Sequence, residues 1–244
     1  MITHIGQLST VIGIIVLAIY FKYELKQKSP VFDVTLFRTK TFTAYNIAGM
    51  FGYFAAVVFS TLINYYFRYV KGFDPQFTGL ILIVSPIVMS IMAPYAGKLS
   101  DRMHPQKIAT VGMVITAVSM VILAFLGKNT PLYVIIAAMV LQAFGMGLFS
   151  SPNLNAIMSS VNEKDIAYAS AGQLSSRAVG QSLSLGILTL VFSWVMGNLQ
   201  ISSQYADLIL KSSHIIFMIC AIACILAIIA SIVGIKADSQ KYNE

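Results

Sequence analysis

Seven long apolar runs leave this chain of 244 residues few ways to fold. They cover residues 5–21, 42–66, 78–95, 108–126, 132–149, 170–195 and 215–235. A hydrocarbon core about 30 Å thick is crossed by about 20 apolar residues of helix, within a range of about 17–25. None of the runs alternates with a period of two, the pattern of a membrane barrel. In hydrocarbon every backbone N–H and C=O has to be satisfied within the chain, so helices remain. The predicted fold class is all-α, a polytopic membrane protein. Charged residues make up 10% of the chain and apolar ones 57%, too little charge to coat a water-soluble globule. That excludes a soluble enzyme.

Lysine and arginine set the expected orientation. With the first run entering from outside, the cytoplasmic segments collect Lys22, Lys26, Lys28, Arg38, Lys40, Lys98, Arg102, Lys107, Lys164, Lys236 and Lys241, and Arg177 lies close to that side. Only Arg68, Lys71, Lys128 and Lys211 fall outside. This positive-inside bias predicts a multi-pass protein of the cell membrane, N-terminus outside and C-terminus cytoplasmic. It also accounts for the net charge of +7 without a nucleic-acid partner. Residues 1–21 hold no Lys, Arg, Asp or Glu, and the cations come after the first run, the reverse of a signal peptide. With a first run at the short limit for spanning, this predicts that Met1 lies inside a longer protein.

The expected organisation is an extra transmembrane helix with a cytoplasmic connector (1–41), a six-helix unit (42–236) and a cytoplasmic tail (237–244). In the connector, Pro30 marks a turn. The segment after Pro30, with Val31, Phe32, Val34, Leu36 and Phe37, reads equally as a short amphipathic helix or as a plain link. The six-helix unit divides into 42–127 and 131–236, three helices each. An odd count makes the second triplet enter from the opposite side, the arithmetic of an inverted repeat.

Polar residues inside the runs mark candidate interiors, because polar groups facing lipid are costly. Run 42–66 carries Asn46, Gly49, Tyr53, Ser60 and Asn64, which at about 100° per residue share one face. A polar stripe of that length suits a helix lining a wet cavity; interhelical packing through Asn and small residues is the alternative. Run 170–195 carries Gln173, Arg177, Gly180, Gln181 and Ser184 on one face. Arg177 reads either as an intramembrane cation or as a side chain snorkelling to the headgroups. Run 132–149 adds Gln142, with Asn153 continuing its face beyond the end. Runs 108–126 and 215–235 are nearly free of polar residues and are expected to face lipid. All nine acids map to loops or ends, so a proton-carrying carboxylate is not expected in these runs. His4, His104 and His214 are scattered and Cys220 and Cys224 share an apolar face, so no metal, catalytic group or cofactor is implied.

The loop Gly97-Lys98-Leu99-Ser100-Asp101-Arg102-Met103-His104-Pro105-Gln106-Lys107 resembles the signature loop of the major facilitator superfamily, G-x-L-[SAD]-D-R-x-G-R-[RK]. It matches at Gly97, Leu99, Ser100, Asp101 and Arg102 and departs where His104-Pro105 replaces Gly-Arg. Such decay is typical of the second copy of the loop. The segments 30–38, 72–80, 151–155 and 177–182 are similar to the C-terminal half of the fourteen-helix multidrug:proton antiporters in that superfamily.

The resemblance implies transmembrane transport of small molecules, as drug or metabolite efflux by alternating access with proton coupling. It implies as partners the lipid bilayer, a missing N-terminal transporter half, a small-molecule substrate and protons. The expected cavity residues are Asn46, Tyr53, Ser60, Asn64, Gln142, Gln173, Arg177 and Gln181, with Gly97, Asp101 and Arg102 as a gating loop. A non-transporting seven-helix module or receptor is the alternative. A retinal protein would need a mid-helix lysine in the last run, which has none before Lys236.

Overall fold

A computed structural model describes residues 34–197, 199 and 201–241. The expected helix over 5–21, most of the connector and the last three residues of the tail lie outside the described residues. Within them the chain is all-α. Helices α1 (Lys40–Tyr65), α2 (Pro75–Leu82), α3 (Val84–Ser100), α4 (Pro105–Ala124), α5 (Leu132–Ser159), α6 (Ile166–Met196) and α7 (Ala206–Lys241) come in that order. Helices α2 and α3 are the two parts of one span, so six helices are long and apolar enough to cross a membrane. Residues Val34–Arg38 form one 3₁₀ turn, and α1 runs into a five-residue π turn, Tyr66–Val70.

Local chemistry sets the starts. Asp74 caps α2 by accepting the Phe77 N–H at 3.3 Å, with Pro75 at the first helical position, where its missing N–H costs nothing. Gly72 supplies the positive φ of 71° that turns the chain into that cap. His104-Pro105 does the same for α4: the imidazole Nδ1 accepts the Gln106 N–H at 3.3 Å. The departure from the signature loop is thus the start of a helix.

Two ends fall well beyond the apolar runs. Helix α5 continues through Pro152 to Ser159, and α7 runs 36 residues to Lys241. In both extensions polar groups find partners across the bundle. Asn155 Nδ2 donates to Ser100 Oγ at 2.9 Å, and Asp238 meets His104 Nε2 at 3.0 Å. Asp207 and Asp238 lie within α7 in its first and last turns, in keeping with the expectation that the acids fall in loops or at ends.

Helix α1 packs on α6 and α7, α5 packs on α3 and α4, and α4 meets α7 between them. The approach is close where glycine removes the side chain. A Cβ on Gly112 of α4 would lie 2.6 Å from the Gly145 carbonyl oxygen of α5. Ser119 Oγ donates to the Ala138 carbonyl at 2.8 Å in the same seam. The core is apolar, built on Phe54, Val58, Leu62, Met113, Met120 and Phe217 from α1, α4 and α7.

Burial departs from the expectation for α4 and α7. Their outer faces, such as Val111, Val118, Ile225 and Ile229, are exposed, but their inner faces meet through Gln106, Thr110 and Ser231. Thr110 and Ser231 hydroxyls are 2.7 Å apart. Gln106, Thr110 and Ser231 stitch one helix to the other, and Ser119 ties α4 to α5, so each helix has one apolar outer face only. The most exposed span is instead Pro75–Ser100, whose apolar stretch is 11% buried against 56% for Pro105–Ala124. Span Glu163–Met196 comes next at 28%.

Candidate functional site: a polar stripe beside an open cavity

The stripe on α1 changes character along its length. Asn46 is 1% exposed, with its Nδ2 donating to the Phe42 carbonyl at 2.9 Å and its Oδ1 unpartnered. Gly49 lies against Asn153 of α5, whose buried Oδ1 also has no partner. This end is closed by α5. Tyr53 and Asn64 are half-buried, and Ser60 is exposed. About two turns separate Tyr53 from Ser60.

Ser60 opens into a cavity of about 550 Å³ between α1, α2, α3 and α5. Its wall is mostly apolar, with Phe59, Pro86, Met89 and Met146, and its polar groups are Ser60, Ser85 and Gln142. Ser85 Oγ is buried and unpartnered. Gln142 is 3% exposed and faces the cavity from α5. An apolar wall with a few convergent hydrogen-bonding groups is the usual make-up of a small-molecule pocket.

The polar face of α6 comes to the same side of the molecule. The Arg177 guanidinium stacks over the Tyr53 ring, 4.5 Å from its centroid. The contact is held by Gly180, one turn on, where any Cβ would collide with the backbone of Met50 on α1. Gln173 is buried, Gln181 is half-buried, and Ser184 Oγ donates to the Gln181 carbonyl at 2.6 Å. Arg177 itself is exposed, and no carboxylate pairs with it among the described residues. Of the eight expected cavity residues, Ser60 and Gln142 share the cavity wall. Tyr53 and Arg177 form a stacked pair beside it, and Asn46 and Gln173 are buried in helix packing.

The signature loop lies at the end of α3. Asp101 and Arg102 are exposed, and among the described residues neither side chain has an ion-pair partner. The loop is tethered through Ser100, by Asn155 of α5. A Cβ on Gly97 would meet nothing within 4 Å. Arg102 shares a shallow cleft of about 210 Å³ with Tyr95, Lys98 and Leu99. Sequence reasoning missed Asn155, Ser85, His104 and Asp238. Asn155, His104 and Asp238 act through partners on other elements, and Ser85 through the cavity that other helices complete, which no local pattern announces.

Comparison with known proteins agrees with this architecture. The riboflavin transporter RibZ of Clostridioides difficile is 27% identical over 220 residues, 90% of this chain and 48% of RibZ. The uncharacterized transporter YebQ of Escherichia coli is 26% identical over 231 residues, 95% of this chain and 47% of YebQ. The multidrug efflux pump LfrA of Mycolicibacterium smegmatis is 23% identical over 182 residues, 75% of this chain and 36% of LfrA. The chain thus spans a third to a half of the length of these relatives. A solved bacterial homologue of the human drug peptide transporters PepT1 and PepT2 shares the fold, with TM-score 0.66 and 18% identity, over 79% of this chain and 40% of that one. The family model of the Major Facilitator Superfamily matches residues 9–242, and the chain belongs to that superfamily.

Proposed function

We propose that this six-helix unit is the C-terminal half of a carrier that moves a small molecule across the cell membrane by alternating access. The observation that carries the reading is the 550 Å³ cavity at the open C-terminal part of the α1 stripe, with Ser60, Ser85 and Gln142 in an apolar wall. The substrate contacts it, and Tyr53, Asn64, Arg177 and Gln181 line the path beyond it, while Asn46 and Gln173, buried in packing, fix the helices that carry them. The exposed flanks support a companion half. Spans Pro75–Ser100 and Glu163–Met196 are the least buried of the six and stand on either side of α1 and α5. The companion half covers them.

Packing also supports two inverted triplets, 42–127 and 131–236. Exchanging α1 with α5, α3 with α6 and α4 with α7 turns the α4–α5 contact into α7–α1 and the α3–α5 contact into α6–α1. The α4–α7 contact maps onto itself. A two-fold axis in the membrane plane would give this pattern of contacts. Gly97, Asp101 and Arg102 form a gating loop at the cytoplasmic mouth, latching across to the companion half. Their free side chains and the open space at Gly97 leave room for that contact. A charge placed against a helix terminus contributes about 0.3–2 kcal/mol, enough to bias two nearly balanced access states.

The relatives' names suggest riboflavin or drugs as substrates, while proton coupling follows from the resemblance of the loop segments and the outside N-terminus from the positive-inside bias. The test is flux through the full-length carrier in proteoliposomes, with riboflavin, ethidium and 2-naphthoate as probes and a proton gradient imposed. Gradient-driven movement of at least one probe, lost in Asp101→Asn, is expected. Absence of flux for all three, under either gradient, overturns the reading.

A further inference from the structure

We infer that the Arg177–Tyr53 pair is a recognition site for a carboxylate, so that aromatic organic anions are among the molecules the carrier takes. The inference rests on the transport reading above. Arg177 is eleven residues into α6, about 16 Å along the axis, and Tyr53 is thirteen residues into α1. Both therefore stand well inside their spans. A snorkelling side chain runs along its helix toward the headgroups. This one reaches across to the neighbouring helix, with its Cζ over the Tyr53 ring at 4.5 Å from the centroid.

The guanidinium carries five N–H donors in a planar fork that matches a carboxylate with two parallel hydrogen bonds. No acceptor takes any of them among the described residues, and Arg177 is exposed. A cation at that depth is costly unless its charge is met. No carboxylate of the described spans meets it, since the two ion pairs there are His104–Asp238 and Lys128–Asp207, both at helix ends. The charge is met by the substrate. The Tyr53 ring beside it and the apolar wall two turns further on take the rest of an aromatic molecule.

The carboxylate has two possible sources, the substrate or an acidic residue of the companion half, and the experiment separates them. Purified full-length carrier is titrated with 2-naphthoate and with 2-naphthamide, which have the same shape and differ in charge, and binding is read from the shift in Tm. Wild type is expected to bind naphthoate at least about tenfold more tightly than the amide. Arg177→Gln is expected to lose that preference while keeping the amide affinity and the ligand-free Tm. Arg177→Lys is expected to keep part of it, and Tyr53→Leu to weaken naphthoate several-fold. Equal binding of the two probes, no naphthoate binding, or a preference surviving in Arg177→Gln overturns the inference. So does a drop of several degrees in the ligand-free Tm of Arg177→Gln with no naphthoate response in wild type, which assigns the carboxylate to the companion half. Flux in the same preparation keeps the two claims apart. Flux without an Arg177-dependent preference sinks this inference alone, whereas the preference without flux sinks the transport reading and leaves the site.

Discussion

Gly180→Ala tests whether the α1–α6 seam, and with it the placement of Arg177, is built on backbone contact. A Cβ on Gly180 collides with the Met50 carbonyl oxygen and comes within 3.0 Å of its carbonyl carbon and 3.2 Å of its Cα. All three are backbone atoms, so no rotamer change relieves the clash, and the helices have to part. Overpacking of this kind costs about 1–3 kcal/mol. Alanine also returns about 1 kcal/mol of helix propensity over glycine. Gly186→Ala, on the same helix, isolates the collision, because a Cβ there meets nothing within 4 Å. Gly186→Ala should be neutral to stabilising by up to about 1 kcal/mol. Gly180→Ala should fall below it by about 1–3 kcal/mol. Reversible unfolding of the chain in mixed micelles, titrated with SDS and tracked by far-UV ellipticity, gives both values. Equal stability of the two variants would refute the seam and remove the basis for stacking Arg177 on Tyr53.

Other perturbations reach different parts of the structure. His104→Ala removes both the N-cap of α4 and the partner of Asp238, and should cost about 1–2 kcal/mol in the same unfolding assay. Asp238→Asn retains an acceptor for His104 Nε2 and should cost less than half as much. Ser100→Ala and Asn155→Ala share one hydrogen bond, so a double-mutant cycle should return a coupling of about 0.5–1.5 kcal/mol. Additive effects would place the loop tether elsewhere.

How much of the molecule was legible in the sequence depended on whether the signal was local. Hydropathy finds spans because each satisfies its own backbone hydrogen bonds, so six of the seven runs recur as helices. It places ends poorly. Run 132–149 stops where Ser150-Ser151-Pro152-Asn153 lowers the mean, yet α5 continues to Ser159 because Asn155 has a partner in Ser100. Periodicity found the stripe from Asn46 to Asn64 but not where it opens, since closure comes from Asn153 and Phe149 of α5. The lipid-facing expectation for runs 108–126 and 215–235 failed on one face for a related reason. Their sparse Thr110 and Ser231 look negligible in a count, but they face each other across 121 residues of sequence. Arg177 was found as a charge. Its orientation over Tyr53 was not readable, because it depends on Gly180 bringing two helices into contact.

The account stands or falls on whether the α1 stripe faces water in the working carrier. Ser60→Cys, in the cavity wall, and Leu226→Cys, in the wholly apolar groove between α1, α6 and α7, are both open on this unit and differ in what they should meet. A membrane-impermeant maleimide applied to the full-length carrier should label Ser60→Cys at least about tenfold faster than Leu226→Cys, since only a hydrated thiol ionises and reacts. Equal rates at the two positions, or faster labelling at Leu226→Cys, would contradict it.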